Sequence, residues 1–494
     1  MKRIFLVSLF LLVVFSGNLK AQTNINLSLD EVIKLAEDQS LNAILAKHRF
    51  RASYWQFRTF KAEYLPSLML SGTIPNYSRI YEKEYDYQTG QENYVEKNNN
   101  SFSGTLSLTQ NIGFTGGNIS LQSDVRRFDV LGDDGSTSYI STPVSINYNQ
   151  PLFRFNEFKW QKQIEPLKYE EAKKTYVKAV EQVHQSAVMR FFQLALAQIN
   201  RDIAEMNYAN ADTLYRIATG RYNLGMIAEN ELLQMELSFL NAETARHTAY
   251  NGLQDMEQRL RSFLGYRESV SLELTIPPAE TPNFSVNAQE VLDRAMENNP
   301  EMIGFDVQLL EARQSVASAK AEKGLNANMN VSYGLKGQSS DFPTAYNGLD
   351  DQQRISVGFT VPIVDWGLRK GRYRLAQSNQ EVTKTMVQQE RIDFEENLAL
   401  DVAQFNLQSN QVMIAAKSDT VAMKMYEVTK QRFLIGNVDV LDLNNADTKK
   451  DQNKRGFIQA LQNYWSYYYN IRQLTLFDFE KSVPLSADFD KMIE

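Results

Sequence analysis

Carboxylates and histidines are the side chains here with a capacity for acid–base or metal chemistry, and their spacing assembles neither. His48, His184 and His247 lie far apart and stand at no metal-ligand spacing, so each reads as a polar helix residue rather than a ligand. No GxSxG, HExxH or GxxxxGK[ST] segment occurs. Acidic residues number 59 against 52 basic ones, but a catalytic pair cannot be picked out where Glu and Asp are ordinary helix-surface residues. The reading is therefore of a protein that is no enzyme and carries no cofactor or metal. Two carboxylates still stand in a repeated setting. Glu231 follows Gly225, and Asp442 follows Gly436, by six residues, within RYNLGMIAENEL (221–232) and RFLIGNVDVLDL (432–443). The glycines read as the ends of long helices, in a backbone conformation that other residues avoid. The acids then fall near the start of the next helix, where the macrodipole by itself favours negative charge.

The elements that position these residues come in two copies. The two segments are 211 residues apart, and the same offset pairs Pro151 with Pro362 and LRSFLG near Leu260 with IRQLTL near Ile471. Nearer each start, SLDEVIKLAEDQSLNAI (28–44) pairs with NAQEVLDRAMENNPEMI (287–303) at an offset of 259. Two offsets, each constant over its own stretch, mean a tandem duplication whose middles differ in length by 48 residues. Length alone suggests about three domains; the duplication replaces that with a signal peptide at 1–21, a first structural repeat at 22–284 and a second at 285–494. Each repeat opens with a helix, with Asp30 or Asn287 near the N-cap. Short alternating segments follow, then a very long polar helix, a glycine-containing tip and a returning helix.

At the N-terminus, Lys2 and Arg3 precede an apolar run over 4–15, and Ala21 precedes Gln22. This is the pattern of a secretory signal cleaved after Ala21; the run falls short of the roughly 20 residues a spanning helix needs. The chain has no cysteine, which excludes disulfide stapling and a lipid on an N-terminal Cys. A net charge of −7 without a basic block makes nucleic acid an unfit partner. No later apolar stretch is long enough to span, so any membrane segments must be β-strands.

Such strands are legible. In VSINYN (144–149), Val144, Ile146 and Tyr148 point one way and Ser145, Asn147 and Asn149 the other; RISVGFTV (354–361) alternates in the same sense, as do NMNVSYGLK (328–336) and SGTLSLTQNI (103–112). This is the apolar-out, polar-in dyad of a membrane barrel, although a soluble sheet with one buried face fits each strand taken singly. The first half offers four candidates, at 67–74, 103–112, 118–125 and 143–150, and the second half two. Thr115-Gly116-Gly117 reads as a tight turn between two of them. From Phe155 to about Thr219 there is no glycine, which predicts one uninterrupted helix of about 95 Å. Its positions Val188, Phe192, Ala195, Ile199, Ile203 and Met206 step by three or four, a narrow seam suited to a coiled coil.

Over essentially the whole chain after the signal, this pattern resembles the TolC family of outer-membrane efflux proteins. The carrying residues are the strand-to-helix exits Gln150-Pro151-Leu152-Phe153 and Val361-Pro362-Ile363-Val364, the latter followed by Asp365-Trp366-Gly367. With them go the paired tips built on Arg221 and Gly225 and on Arg432 and Gly436, and Asn299-Pro300-Glu301 in an opening helix. The resemblance implies a mainly α fold with a small transmembrane β-sheet, assembled as a homotrimer whose β-barrel in outer-membrane lipid continues into a periplasmic α-barrel. It implies an exit duct of a tripartite pump or type I secretion system, opened by a periplasmic adaptor protein and an inner-membrane transporter that dock at the tips. It places Glu231, Asp442 and Asn445 at the periplasmic aperture. There the family often has a second aspartate where this chain has Asn445, and a locking arginine where it has Val438. Too few strands exist in one copy to close a barrel, and open edges cannot stand in lipid. A trimer then has twelve strands if the extra hairpin of the first half stays outside the wall, or eighteen if it joins.

Overall fold

The structure, a computed structural model, describes residues 24–493 apart from 88, 89, 133, 134, 267–269, 281, 283 and 436. The expected signal at 1–21 and Gly436 thus lie outside the described residues. The first half runs β1 (Asn24–Ser28), α1 (Leu29–Gln39), α2 (Leu41–Ala62), β2 (Ser67–Asp86), β3 (Gln91–Ile112), β4 (Gly117–Val130), β5 (Ser136–Leu152), α3 (Glu157–Asn223), α4 (Glu229–Phe263) and β6 (Ser271–Thr275). The second runs α5 (Ala288–Asn298), α6 (Pro300–Lys323), β7 (Asn326–Ser339), β8 (Asp350–Thr360), α7 (Leu368–Leu434) and α8 (Val440–Thr475), then β9 (Phe477–Asp478), β10 (Val483–Pro484) and α9 (Asp490–Ile493). The duplication is plain in the lengths: α3 and α7 each have 67 residues, and α4 and α8 have 35 and 36.

Local chemistry sets these boundaries. The first N-cap is Ser28, with Asp30 in the first turn beside it: the Ser28 hydroxyl accepts from Glu31 N–H while Glu31 accepts from Ser28 N–H, a capping box. Asn287 caps α5 as expected, accepting from Gln289 and Glu290. The long helix α3 is continuous, but it carries Pro166 inside it, which removes one N–H from the ladder. The expected narrow seam on α3 is also too narrow. Val188, Phe192 and Ala195 are buried, but so are Ala187, Phe191 and Leu194, whereas Met206 is 41% exposed. The reason is company: at this level residues of α1, α4, α5, α7 and α8 join one core with α3, so more than a coiled-coil stripe is covered.

Two compact units result, each drawing on both halves. One comprises 24–51, 172–302 and 392–493; the other comprises 52–171 and 303–391. The first holds the helical core and a two-stranded parallel sheet, β1 with β6, that alternation alone did not reveal. No described helix is long and apolar enough to cross a membrane.

The second unit holds one six-stranded antiparallel sheet in the order β2-β3-β4-β5-β7-β8. Directly opposed residues Leu68, Leu108, Leu121, Ile146 and Tyr333 form an apolar row over five strands that ends at Gln353 on β8, whose Ile355, Val357 and Phe359 share that face. The neighbouring row Ser67, Thr109, Ser120, Asn147, Ser332 and Arg354 is polar on the other face. Leu68, Leu121, Ile146, Ile355 and Phe359 are 69%, 44%, 46%, 75% and 74% exposed. An apolar face left open on this scale is the signature of a sheet whose solvent is lipid. The strands outrun the sequence expectation of 67–74 and 103–112, because cross-strand ion pairs carry the β2–β3 ladder onward where the apolar alternation stops. Arg79 Nε lies 2.6 Å from Glu96, and Lys97 Nζ 2.6 Å from Glu82.

Candidate functional site

The first helical tip is built as its sequence demands. Gly225 takes φ +71, its N–H donates to Tyr222 C=O (2.8 Å), and the N–H of Met226 donates to Arg221 C=O (2.9 Å). This is a Schellman turn, in which the left-handed residue closes the last carbonyls of α3. At the second tip the N–H of Asn437 donates to Arg432 C=O (2.9 Å), so Arg432 holds the place of Arg221. Both returning helices then carry an acid at their third residue, Glu231 on α4 and Asp442 on α8, and both are exposed. Asp442 donates its backbone N–H to the side chain of Asp439 (2.8 Å), the true cap of α8. Asn445, one turn on, is exposed. What residue types did not single out is the apolar character of these ends. Leu224, Met226, Ile435 and Leu441 are 76%, 68%, 71% and 59% exposed.

The exits sit at the other ends of the long helices. Pro151 is still in the ladder, opposite Asn328, while Pro362 falls just beyond β8. Asn156 accepts from Lys159 N–H at the start of α3, and Asp365 accepts from the N–H groups of Gly367 and Arg369 at the start of α7. Thr115 and Gly116 form the turn into β4, with Gly116 at φ +75.

Two buried charge clusters in the helical unit escaped sequence reading. On α8, Lys450 is 2% exposed and lies 2.6 Å from Asp447, 3.2 Å from Asp451 and 4.2 Å from the ring centre of Tyr426. Asn207 on α3 donates to Asp451 (2.7 Å), and Lys430 on α7 donates to Asn210 on α3 (3.0 Å). Burial pushes the Asp447 carboxyl up against the pull of Lys450, and pushes the Tyr426 hydroxyl up to about 12. The second cluster centres on Arg472, whose guanidinium grips Glu181 with two bonds of 2.9 and 3.1 Å and also donates to Asp478. His184, one turn along α3, lies 3.3 Å from Glu181 and 3.1 Å from Glu37.

His184 is therefore no simple polar helix residue. Burial by itself would depress its imidazole, but Glu181 and Glu37 outweigh burial and lift it to about 9. A folded value above the unfolded one, near 6.5, contributes stability that is complete below that pH and lost as pH rises through about 9. His184→Gln is expected to lower stability at pH 6 by about 3 kcal/mol, on about 1.4 kcal/mol per unit, and by much less at pH 10. Guanidinium unfolding of both proteins at the two pH values checks this. A gap of equal size at both would assign His184 a packing role alone.

The geometry is thus a sheet with one lipid-like face, long paired helices and two tips bearing exposed acids and apolar residues. The sequence matches the family model described as outer membrane efflux protein over residues 118–266 and 291–475. Outer membrane protein TolC of Salmonella enteritidis is 23% identical over 291 residues, covering 55% of this chain and 57% of that protein. TolC of Escherichia coli (strain K12) is 23% identical over 300 residues, with the same shares. The chain thus spans 57% of the length of these curated relatives. Among solved structures, the CmeC outer membrane channel of Campylobacter jejuni superposes with a TM-score of 0.66 at 16% identity, over 94% of this chain and 88% of that one. The outer membrane protein VceC of Vibrio cholerae gives 0.62 at 13%, over 90% and 95%. At these identities the structural likeness is one of fold. The family model, in contrast, covers more than half of the sequence, and the chain belongs to the outer membrane efflux protein family.

Proposed function

We propose that this protein is a passive exit duct of the outer membrane, working as a homotrimer in a tripartite efflux pump or a type I secretion system. The observation that carries this reading is the six-stranded sheet with its exposed apolar face and two open edges, because open edges in lipid demand partners. The helical unit then stands in the periplasm. The exposed tips Arg221 to Glu231 and Arg432 to Asp442 supply a docking surface for a periplasmic adaptor and an inner-membrane transporter, through Leu224, Met226, Ile435 and Leu441. The chemistry required of such a duct is transport without bond making, in keeping with the lack of any catalytic constellation in the sequence. The repeat limits proposed for the mature chain are 22–284 and 285–494.

Purified protein in planar bilayers tests the reading. The expected result is low conductance in the resting protein and a marked rise when the tips are disrupted, for example by Gly225→Pro. Absence of conductance in every state, tip variants included, would overturn the duct and leave a coiled-coil envelope protein without a through channel.

A further inference from the structure

We propose that the β2–β3 hairpin is part of the membrane wall, and that the free edge of β2 in one copy of the chain pairs with the free edge of β8 in the next. The wall is then closed by six strands from each protomer, eighteen in a trimer, rather than by four with a hairpin lying outside. This inference rests on the duct reading above.

Three observations lead to it. First, β3 stays in register with β4 without a shift from Ile112 opposite Gly117 to Asn99 opposite Val130. A hairpin outside the wall would have to leave that ladder, and this one does not. Second, the two faces continue unbroken across it. Leu68 and Leu108 extend the apolar row of Leu121 and Ile146, and Ser67 and Thr109 extend the polar row of Ser120 and Asn147. Leu68 and Leu70, at 69% and 77% exposed, would face water if the hairpin stood away from the bilayer; in the wall they face hydrocarbon, which removes their apolar surface from water.

Third, the two edges fit each other. Each strand of the sheet is antiparallel to its neighbours, and the number is even, so β8 runs opposite to β2 and a second copy extends the same ladder. At 11 residues β8 has the length of a tilted membrane strand, about 9–11 residues. Its Ile355, Val357 and Phe359 lie on the same face as Leu68 and Leu70, so apolar meets apolar at the seam. The sheet cannot close on itself, because six strands fall short of the roughly eight of the smallest membrane barrels. Unpaired N–H and C=O groups find no water to bond in hydrocarbon, which leaves another copy as the occupant of the edge. Eighteen strands is also a size at which a barrel leaves an aqueous channel instead of a filled interior.

The absence of native cysteine makes a direct test available. Leu68→Cys and Leu70→Cys are each combined with Ile355→Cys, Val357→Cys or Phe359→Cys, and outer-membrane vesicles are oxidised and run on non-reducing gels. A bridge needs Cα atoms about 4.4–6.8 Å apart, so only pairs in the correct register link. The expected result is at least one β2–β8 pair that converts most of the monomer band to covalent oligomer, with none from Ile119→Cys or Leu121→Cys on β4 to the same β8 positions. Links from β4 and none from β2 would overturn the six-stranded wall while leaving the duct in place. Links from neither edge overturn the pairing, and recovery of the protein in the periplasmic extract instead of the outer membrane overturns the duct reading with it.

Discussion

Replacing Arg472 by Ala should destabilise the helical unit by about 3–5 kcal/mol, the range for removing one partner of a buried ion pair. The guanidinium is 13% exposed, and its carboxylate partners Glu181 and Asp478 are 4% and 3% exposed. Burial works against the charged form of both ends. The mutual hydrogen bonds and charge attraction nonetheless hold the Glu181 carboxyl below its usual range and the Arg472 guanidinium above its own. Without Arg472, Asp478 keeps only the backbone N–H groups of Glu480 and Lys481 and the hydroxyl of Tyr468, and Glu181 keeps His184. The cost is that of orphaned charge, so two further results follow. The deficit should shrink as pH falls, because the stability Arg472 supplies by holding the Glu181 carboxyl below its usual range is lost as that carboxyl protonates. The double variant Arg472→Met with Glu181→Gln should also recover a good part of the loss. Equilibrium unfolding of the three proteins between pH 5 and 8 decides the matter. A loss under about 1 kcal/mol for Arg472→Ala, or no recovery in the double variant, would show that the cluster is not energetically coupled.

The second large effect is on conduction. If three copies of Glu231 and of Asp442 converge at the narrow end of the helical tube, the ring attracts cations and binds divalent ions across the aperture, because like carboxylates at close range repel each other. Replacing both with Ala is expected to abolish cation selectivity and divalent block. Assembly should be nearly unaffected, since both are exposed and exposed pairs contribute a median of roughly 0–1 kcal/mol. Single-channel recordings in mixed salts, with and without a divalent cation, provide the measurement. Unchanged selectivity and unchanged block would reduce the two acids to favourable partners of the helix macrodipole, a role their place at the third residue of each helix also suits.

The two acids illustrate how far residue types reach. Their setting was legible because a helix end is written locally: Gly225 must take a left-handed conformation, and the acid that follows falls in the first turn of the next helix. The same locality made the two 67-residue helices and the alternating strands readable, since a period of two or 3.6 is a property of neighbours along the chain. Strand ends were less legible. The β2–β3 ladder continues to Asp86 opposite Gln91 on ion pairs between residues that, read singly, look like loop.

What the sequence determined by itself was the period of each element, its caps and the fact that the elements come twice. The tertiary structure decided which polar residues stop being surface. Glu181 and Arg472 stand 291 residues apart, and Asn207 and Asp451 244 apart; no spacing rule connects them, and their burial depends on which helices pack beside α3. It also decided that the extra hairpin joins the sheet, because strand pairing is a choice among distant backbone edges. Those edges carry the same N–H and C=O groups whatever the side chains, so the alternation of one strand states which face is apolar and is silent about which strand lies next to it.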